Sequence, residues 1–324
     1  MSHPQRIIIP GGSGQVGRIL ARHFQALGND VTVLSRNRTP EAWPVIAWDS
    51  ITQGAWIQAL ENSDVCINLT GRSVNCRYNP ANRREITESR VKSTQLLNQV
   101  IGALRSPPRV WLNASTATIY RHSLDRPMDE ATGELGGNEP GAPDTWNFSI
   151  SVAKGWEQAF FAHPTPRTRK VALRSAITFS PDRGGAFDVL LTLVRRGLGG
   201  RQGSGEQFVT WIHETDLVRS VEWLIAHEDC QGVVNLAAPN PVRNRDFMRA
   251  LRNAWRPHTF GLPLETWMVE LGAVFMQTES ELILKSRQVV PGRLLDAGFV
   301  FQYLDWPSAA QELVSRWKQW YRAH

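Results

Sequence analysis

A glycine-rich turn near the start of the chain has the residue types and spacing of an anion-binding site. It directly follows the apolar residues 7–9 and consists of Gly11, Gly12, Ser13, Gly14, Gln15, Val16 and Gly17. Unpaired N–H groups at a helix N-terminus attract phosphate oxygens, and glycine lets the backbone approach them closely. A helical pattern continues to Leu27, and a second strand follows at residues 31–34. This order predicts a dinucleotide-binding turn; the alternative is a glycine-rich turn that binds nothing.

The end of the second predicted strand carries a hydroxyl and a guanidinium in place of a carboxylate. Ser35 and Arg36 stand about 20 residues beyond the glycines, where an Asp or Glu usually meets a free ribose hydroxyl. An arginine there accommodates a 2′-phosphate, so the residues predict NADP(H) as the cofactor. Two charge-assisted hydrogen bonds of about 1.5–3 kcal/mol each, discounted by half for solvent, leave roughly 2–3 kcal/mol, or a preference of roughly 30- to 100-fold over NAD(H). The alternative is that Arg36 is merely solvated in a basic loop beside Arg38.

The composition is that of a globular enzyme and argues against several other classes. The chain has 324 residues, of which 42% are hydrophobic and 20% charged, and no apolar run approaches the ~18 residues of a membrane span. The first residues lead straight into a strand, which leaves no room for a signal peptide, so we expect a cytoplasmic location. Cys66, Cys76 and Cys230 have neither CxxC spacing nor a nearby histidine pair, which predicts no disulfide framework and no metal site.

The net charge of +6 is spread along the chain. Basic residues alternate with carboxylates, as in the segment NRREITESR, which is typical of a solvated surface. We therefore expect a small-molecule substrate and no nucleic-acid or membrane partner. The sequence does not indicate the number of subunits.

Alternating strand and helix patterns predict an α/β fold with a doubly wound parallel sheet of the Rossmann type. Further strands are predicted at 45–48, 64–69, 110–114, 171–178 and 233–236, and helices at 56–61, 83–104, 149–162 and 216–227. Ligands bind outside the carboxyl ends of the strands in such a sheet. Segments that interrupt the alternation are therefore expected to cover the cofactor.

Two stretches break the alternation and are predicted to form a smaller substrate lobe. Residues 181–206 are rich in glycine and arginine, and residues 238–324 begin with proline-containing loops and end in a predicted helix at 308–321. We therefore predict an NADP-binding domain of residues 1–180 plus 207–237. The lobe would consist of the two remaining stretches.

Several longer segments carry a resemblance to a known family. They are VLSR (33–36), INLTG (67–71), ESRVKST (88–94), WE (156–157), GSGEQFVTWIHETDLV (203–218), APNPVRNRDF (238–247) and VVPGRLLDAGFVFQY (289–303). With these segments the chain resembles an extended short-chain dehydrogenase/reductase, and more closely the atypical branch labelled epimerase-family or cell-division-inhibitor-like. The resemblance covers nearly the whole length and implies a small C-terminal domain.

The resemblance also implies further cofactor contacts. Leu69 and Thr70 would line the nicotinamide ribose, with Gly71 beside them. It adds contacts by Glu85, Arg90 and Thr178. The first two of these could instead form a solvated helix face, and the third could be an ordinary strand residue.

The proton donor typical of the superfamily is absent. No tyrosine has a lysine four residues later, and aligning the helix NFSISVAKGWE on Lys154 puts Ile150 at the tyrosine position. Ser115 matches the serine that binds the substrate oxygen, and its neighbour Thr116 also carries a hydroxyl. Tyr120 is the candidate substitute acid, with a packing role as the alternative. Positioned proton transfer contributes about 10²- to 10⁴-fold, and the hydride itself comes from the cofactor.

These residues predict an NADP(H)-dependent oxidoreductase acting on a carbonyl or hydroxyl compound. One alternative is a non-catalytic NADP(H) sensor, which would keep the cofactor site and lose the proton donor. Another is a nucleotide-sugar epimerase or dehydratase, which would normally retain the tyrosine and lysine. His213 in WIHETD is expected to be hydrogen-bonded scaffolding, with a catalytic role as the alternative.

Overall fold

The computed structural model describes residues 3–36, 40–275 and 277–323. Its strands are β1 (Arg6–Pro10), β2 (Asp30–Ser35), β3 (Val45–Ala47), β4 (Val65–Asn68), β5 (Val110–Thr116), β6 (Arg169–Ser175), β7 (Ile177–Phe179), β8 (Phe208–Val209), β9 (Trp211–His213), β10 (Gly232–Leu236) and β11 (Val242–Arg243). Its α-helices are α1 (Gln15–Ala26), α2 (Ile57–Leu60), α3 (Pro80–Ala103), α4 (Asp144–Phe161), α5 (Ala186–Arg195), α6 (Glu214–Ala226), α7 (Asn244–Trp255), α8 (Thr266–Phe275), α9 (Glu281–Leu284), α10 (Gly292–Asp296) and α11 (Trp306–Ala323).

The largest element is a seven-stranded sheet in the order β10-β6-β5-β4-β1-β2-β3. Every neighbouring pair in it is parallel. Alternate side chains of β1 enter different cores: Ile7 and Ile9 pack with α1 and α6, whereas Ile8 packs with α3. Helices therefore cover both faces, and the predicted doubly wound α/β sheet is confirmed.

A second core lies beside this sheet. It combines apolar side chains of α5, α7 and α11 with two small sheets, a parallel pair of β7 and β9 and an antiparallel pair of β8 and β11. Trp306 is fully buried at its centre and stacks on Phe247 at 4.1 Å between ring centroids. This core takes residues from both stretches predicted to form the lobe, and also Phe179 and Trp211, which lie outside them. The predicted domain boundaries stay a prediction.

Several predicted elements differ in their bounds. The strand expected at 171–178 is two strands, because the chain leaves the main sheet after Ser175 and residues 177–179 pair with β9. Helix α3 begins earlier than expected because the Asn79 side chain accepts from the Asn82 N–H and Pro80 occupies the first turn. Helix α4 also begins earlier, at Asp144. Helices α5, α7, α8, α9 and α10 were not predicted.

Two features are absent from residues 3–36, 40–275 and 277–323. None of the helices in them has the length and apolar character needed to cross a membrane. Among the same residues, no group of three or more His, Cys, Asp or Glu side chains is arranged to hold a metal ion. The cytoplasmic location expected from the sequence stays a prediction.

Candidate functional site

The glycine-rich turn borders a cavity of about 260 Å³ at the carboxyl ends of β1, β2 and β4. Of the residues predicted to contact a cofactor, the cavity is lined by Gly11, Ser13, Gly14, Ser35, Arg36, Leu69, Thr70 and Gly71. These residues come from three separate segments of the sequence. The structure therefore brings together the centre of the predicted cofactor site.

The turn leaves the start of α1 available to an anion. Gly14 is the N-cap, without a side-chain hydrogen bond, and the first turn of the helix contains no acidic residue. Gly11 has φ +74°, and a Cβ atom there would lie 2.7 Å from the backbone N of Thr70. Only glycine fits this position, and the free N–H groups of the first turn can face a phosphate.

The other predicted residues of the turn are not among those that line the cavity. A Cβ at Gly17 would lie 2.3 Å from the carbonyl oxygen of Gly12, so this glycine allows α1 to pack closely on the turn. Val16 packs against the main core. The Gln15 amide nitrogen is buried without a hydrogen-bond partner and lies against Gly185 at the start of α5.

The end of β2 presents a cation to the cavity. Arg36 is exposed and forms no ion pair within the described residues, whereas Ser35 Oγ donates a hydrogen bond to Ser13 Oγ at 2.9 Å. Asp49, which lines a neighbouring cavity, is held within its own turn, because its carboxylate accepts from the Thr52 hydroxyl and from the N–H groups of Thr52 and Ile51. These hydrogen bonds lower the pKa of Asp49. Arg38 lies outside the described residues.

The neighbouring cavity, of about 320 Å³, shares Arg36 and Trp48 with the first. The Trp48 and Trp56 rings lie 5.2 Å apart between centroids. Trp48 Nε1 is buried without a hydrogen-bond partner, and so is Thr70 Oγ1 in the first cavity. Buried polar atoms normally have partners, so these two atoms fit a site built to bind a polar ligand. Trp48 was not predicted as a site residue, although an aromatic residue ends the third predicted strand.

The two helical residues expected to touch the cofactor have different surroundings. Arg90 lies against the rim of the cavity: a Cβ at Gly71 would lie 3.0 Å from its Cζ, and its guanidinium stacks over Trp156 at 5.1 Å. It donates to the carbonyl of Ile86 and pairs with no carboxylate in the described chain, and burial lowers its pKa to about 10. Glu85 instead pairs with Arg72, which lines the cavity.

Thr178 is not among the residues that line either cavity. It lies in β7, opposite Ile212 of β9, and is 9% exposed. The corrected end of β6 explains this position, because Thr178 belongs to the small sheet of the second core. Its predicted cofactor contact stays a prediction without a geometric observation in its favour.

A buried hydrogen-bond network joins the two predicted catalytic residues. Ser115 Oγ donates to Glu157 at 2.6 Å, and Arg174 donates to both oxygens of Glu157 at 2.8 and 2.7 Å. Arg174 also donates to the Tyr120 hydroxyl at 2.9 Å, and this hydroxyl donates to Asn235 Oδ1 at 3.0 Å. The network thus connects β5, α4, β6 and β10.

The hydrogen bonds of this network engage the hydroxyl groups of both predicted catalytic residues. The Tyr120 side chain is 2% exposed, its hydroxyl both accepts and donates, and burial raises its pKa. Neither Tyr120 nor Ser115 is among the residues that line the two cavities. Thr116, beside Ser115, accepts from the Thr118 N–H and so starts the 3₁₀ turn Ala117–Ile119. The catalytic roles stay predictions, and the geometry describes a structural network.

The helix face that should carry the usual proton donor is apolar at the expected position. Ile150 is 1% exposed and packs against Gly136 and Gly137. Lys154 lies one turn further on, with its ammonium close to Gly137 and no ion pair in the described chain. Lys154 therefore occupies the lysine position of the usual pair, whereas Ile150 occupies the tyrosine position.

His213 has a structural position. Its Nδ1 accepts from the Thr215 N–H, which caps α6, and its Nε2 lies 2.9 Å from Glu312 of α11. The side chain is fully buried. It therefore joins the start of α6 to the last helix, as scaffolding.

Comparisons with known proteins extend over nearly the whole chain. The model of the NAD dependent epimerase/dehydratase family matches residues 7–237, and a domain of unknown function, DUF1731, matches residues 266–313. Epimerase family protein SDR39U1 of Bos taurus is 32% identical over 314 residues, which cover 96% of this chain and 100% of the relative.

Two solved structures are also similar. The crystal structure of human epimerase family protein SDR39U1 (isoform 2) with NADPH has a TM-score of 0.83 and 30% identity, covering 96% of this chain and 99% of that one. A nucleoside-diphosphate sugar epimerase from Corynebacterium glutamicum has a TM-score of 0.74 and 26% identity, covering 97% of this chain but 59% of its own.

Proposed function

Because the chain belongs to the NAD dependent epimerase/dehydratase family, we propose that it is an NADP(H)-dependent oxidoreductase that acts on a small carbonyl or hydroxyl compound. The resemblance to the epimerase-family branch with its small C-terminal domain is thereby confirmed. One observation carries the choice of cofactor: Arg36, without an ion pair in the described chain, lines both cavities at the end of β2. The NADPH in the human relative's structure supports the same choice.

Residues from three sides would hold the cofactor. The glycine turn and the N-terminus of α1 would bind the pyrophosphate, and Arg36 would bind the 2′-phosphate. Trp48 Nε1 and Thr70 Oγ1 would use hydrogen-bonding capacity that is otherwise unused. Arg90, at the rim beside Gly71, would add a second cation for phosphate oxygens. When bound, NADPH supplies the hydride that reduces a carbonyl carbon.

The change Arg36→Glu tests the cofactor assignment. We expect it to weaken NADPH binding by about 2–3 kcal/mol, or roughly 30- to 100-fold, because charge-assisted hydrogen bonds to the 2′-phosphate are lost. Binding of NADH should change little, and calorimetry with both cofactors measures the difference. Arg84→Glu, at an exposed position of α3, is the control with the same change of net charge. An equal loss for NADPH and NADH would contradict the proposal.

A non-catalytic NADP(H) sensor is the second candidate. The buried Ile150 favours it, because an apolar side chain stands where the family resemblance places the proton donor. NADPH oxidation with a panel of aldehydes and ketones separates the two candidates. Turnover of any compound supports the oxidoreductase, whereas tight NADPH binding with no turnover across the panel supports the sensor.

A further inference from the structure

Helix α8 carries an apolar stripe on its solvent side. The members of this stripe are Trp267 (63% exposed), Leu271 (49%), Val274 (48%) and Phe275 (79%). Their spacing of three and four residues places them on one side of the helix. Val269 and Ala273, on the opposite side, are both buried. A surface helix normally presents polar residues to water, so α8, which is apolar on both sides, has the composition of an element with a second packing partner.

The segment that leads into α8 continues this apolar surface. Phe260 is 73% exposed and Leu262 is 41% exposed. The backbone of Leu262 pairs with Gly197 and Gly200, which holds the segment against the chain that follows α5. Of the 17 exposed large apolar side chains among the described residues, six therefore lie within residues 260–275. A concentration of this kind marks an interaction site, whereas single exposed apolar residues do not.

The exposed apolar surface of residues 260–275 is large enough for a stable contact between two protein chains. A buried Phe or Trp side chain removes about 150–250 Å² from water, so three aromatic and three aliphatic side chains at these exposures present on the order of 800 Å². Stable interfaces bury about 800 Å² per partner. The largest apolar patch of a typical monomer is only about 300–600 Å².

The order of residues in the stripe suits a second copy of the same helix. Trp267 and Phe275 stand four residues to either side of Leu271. If two copies of α8 cross antiparallel on a two-fold axis at Leu271, each Trp267 lies at the height of the Phe275 of the other copy. Rows of side chains four residues apart pack into one another at a crossing angle of about −50°. The stripe is therefore complementary to itself, as a two-fold symmetric dimer requires.

The charges of α8 argue against a membrane surface as the partner. The helix contains no lysine or arginine, and Glu270 is its single charged residue. Helices that lie on membranes carry Lys and Arg on their polar side. Glu265, just before the helix, pairs with Arg201. The residues that line the two cavities include none from α8, so the stripe lies apart from the described cofactor site.

We propose that the stripe of α8, together with Phe260 and Leu262, binds a second copy of the chain and forms a two-fold symmetric dimer. Leu271 lies on the two-fold axis of this dimer, where it meets the Leu271 of the other copy. The inference goes beyond the proposed function and does not depend on the cofactor or on catalysis.

Sedimentation velocity over a range of protein concentrations tests the dimer. The wild type should sediment as a dimer at about 10 μM, because interfaces of this size have dissociation constants from micromolar to picomolar. Leu271→Arg should raise the dissociation constant by about 10²- to 10³-fold, because each copy brings an unpaired charge into the centre of the contact. Leu295→Arg, at a 44% exposed position of α10, is the control with the same change of charge and should sediment as the wild type does.

Cross-linking with a short bis-maleimide reagent tests the antiparallel arrangement. The variants carry Cys76→Ser, and the other two natural cysteines are buried. Leu271→Cys should give a linked dimer, because residue 271 lies opposite itself on the axis. A mixture of Trp267→Cys and Phe275→Cys should give linked dimers that neither variant gives alone. Leu295→Cys is the control and should stay unlinked.

The outcomes either support or overturn the inference. Loss of the dimer in Leu271→Arg but not in Leu295→Arg, with linkage through residue 271, supports it. A wild type that is monomeric at every concentration, or a dimer that Leu271→Arg leaves intact, would overturn it. A monomer that sediments with vesicles of phosphatidylcholine and phosphatidylserine would also overturn it. Binding of NADPH bears on the proposed function alone.

Discussion

Lys285 is a lysine whose ammonium is almost completely out of water. The residue is 1% exposed, and Nζ donates to the carbonyl of Thr118 at 2.9 Å. Burial and the charge of Arg287 lower its pKa to about 7, although Glu281 and Glu139 act in the opposite direction. A lysine in the unfolded chain has a pKa of about 10.4. Between these two values the unfolded chain binds more protons, so the free energy of unfolding rises with pH there.

Lys285→Met should remove this dependence on pH. The free energy of unfolding of the wild type, relative to the variant, is expected to rise by up to about 1.4 kcal/mol per pH unit between pH 7 and 10. Below pH 7 the lysine is protonated in both states, so the difference should stay constant. Urea unfolding at a series of pH values measures it, with Lys92→Met at an exposed site as the control. A flat difference from pH 7 to 10 would contradict the assignment.

At the scale of single residues, the sequence predicted what local spacing determines. Gly11, Ser35 and Arg36 were found because a turn and the next strand place them together within one strand–helix–strand unit. Trp48 was not found, because only the fold brings the end of the third strand beside the glycine-rich turn. Tyr120 was chosen by its position after β5, and the sequence could not reveal that Arg174 and Asn235 occupy its hydroxyl.

Among the elements, the turn between β1 and α1 depends most on its glycines. Gly11 and Gly28 both have a positive φ, +74° and +81°, but a Cβ at Gly11 would lie 2.7 Å from Thr70, whereas Gly28 has open space around it. Substitutions at the two positions therefore distinguish the cost of backbone strain from the cost of a steric clash.

Gly11→Ala is expected to lower both stability and NADPH affinity. The strain of a positive φ costs about 1–2 kcal/mol at either glycine, and at Gly11 the added methyl group must also displace the turn from the end of β4. Gly28→Ala should show the strain alone and bind NADPH as the wild type does. Thermal unfolding and calorimetry measure the two effects. Equal NADPH affinities in the two variants would show that the close approach of Gly11 to Thr70 is unimportant.

The elements of the main sheet were predictable because each is an apolar run between polar turns. The merged strand at 171–178 was a wrong prediction, because the apolar pattern continues through Ala176 while the partner changes from β10 to β9. Helices α5 and α7 are amphipathic, but they were not predicted because glycine and proline in the flanking segments are typical of loops. In each case a distant partner decides the structure.

In the molecule as a whole, Asp216 ties the main core to the second one. The residue is 1% exposed in the first turn of α6, and its two oxygens accept from the N–H groups of Gln302 and Tyr303, both at 2.8 Å. These bonds hold the segment that leads into α11, whose side chains form much of the second core. Together with the contact between His213 and Glu312, these bonds hold the last helix against the start of α6.

Asp216→Ala should destabilise the protein by roughly 3 kcal/mol, because it removes two partly buried hydrogen bonds to a charged acceptor. Urea unfolding followed by tryptophan fluorescence measures the loss. Asp296→Ala, at an exposed site near the end of α10, is the control and should change stability by less than about 0.5 kcal/mol. A loss at Asp216 no larger than at Asp296 would be inconsistent with this role.

The departure of β7 from the main sheet has a consequence for engineering and for the evolution of this architecture. Phe179 and Trp211 belong to the second core, yet each stands in the sequence between segments of the first. No single crossover could exchange the second core between relatives, because the inserted segment 177–211 would have to be inherited with the carboxy-terminal helices. Chimeras should therefore be joined at two or more places, beginning at Ala176.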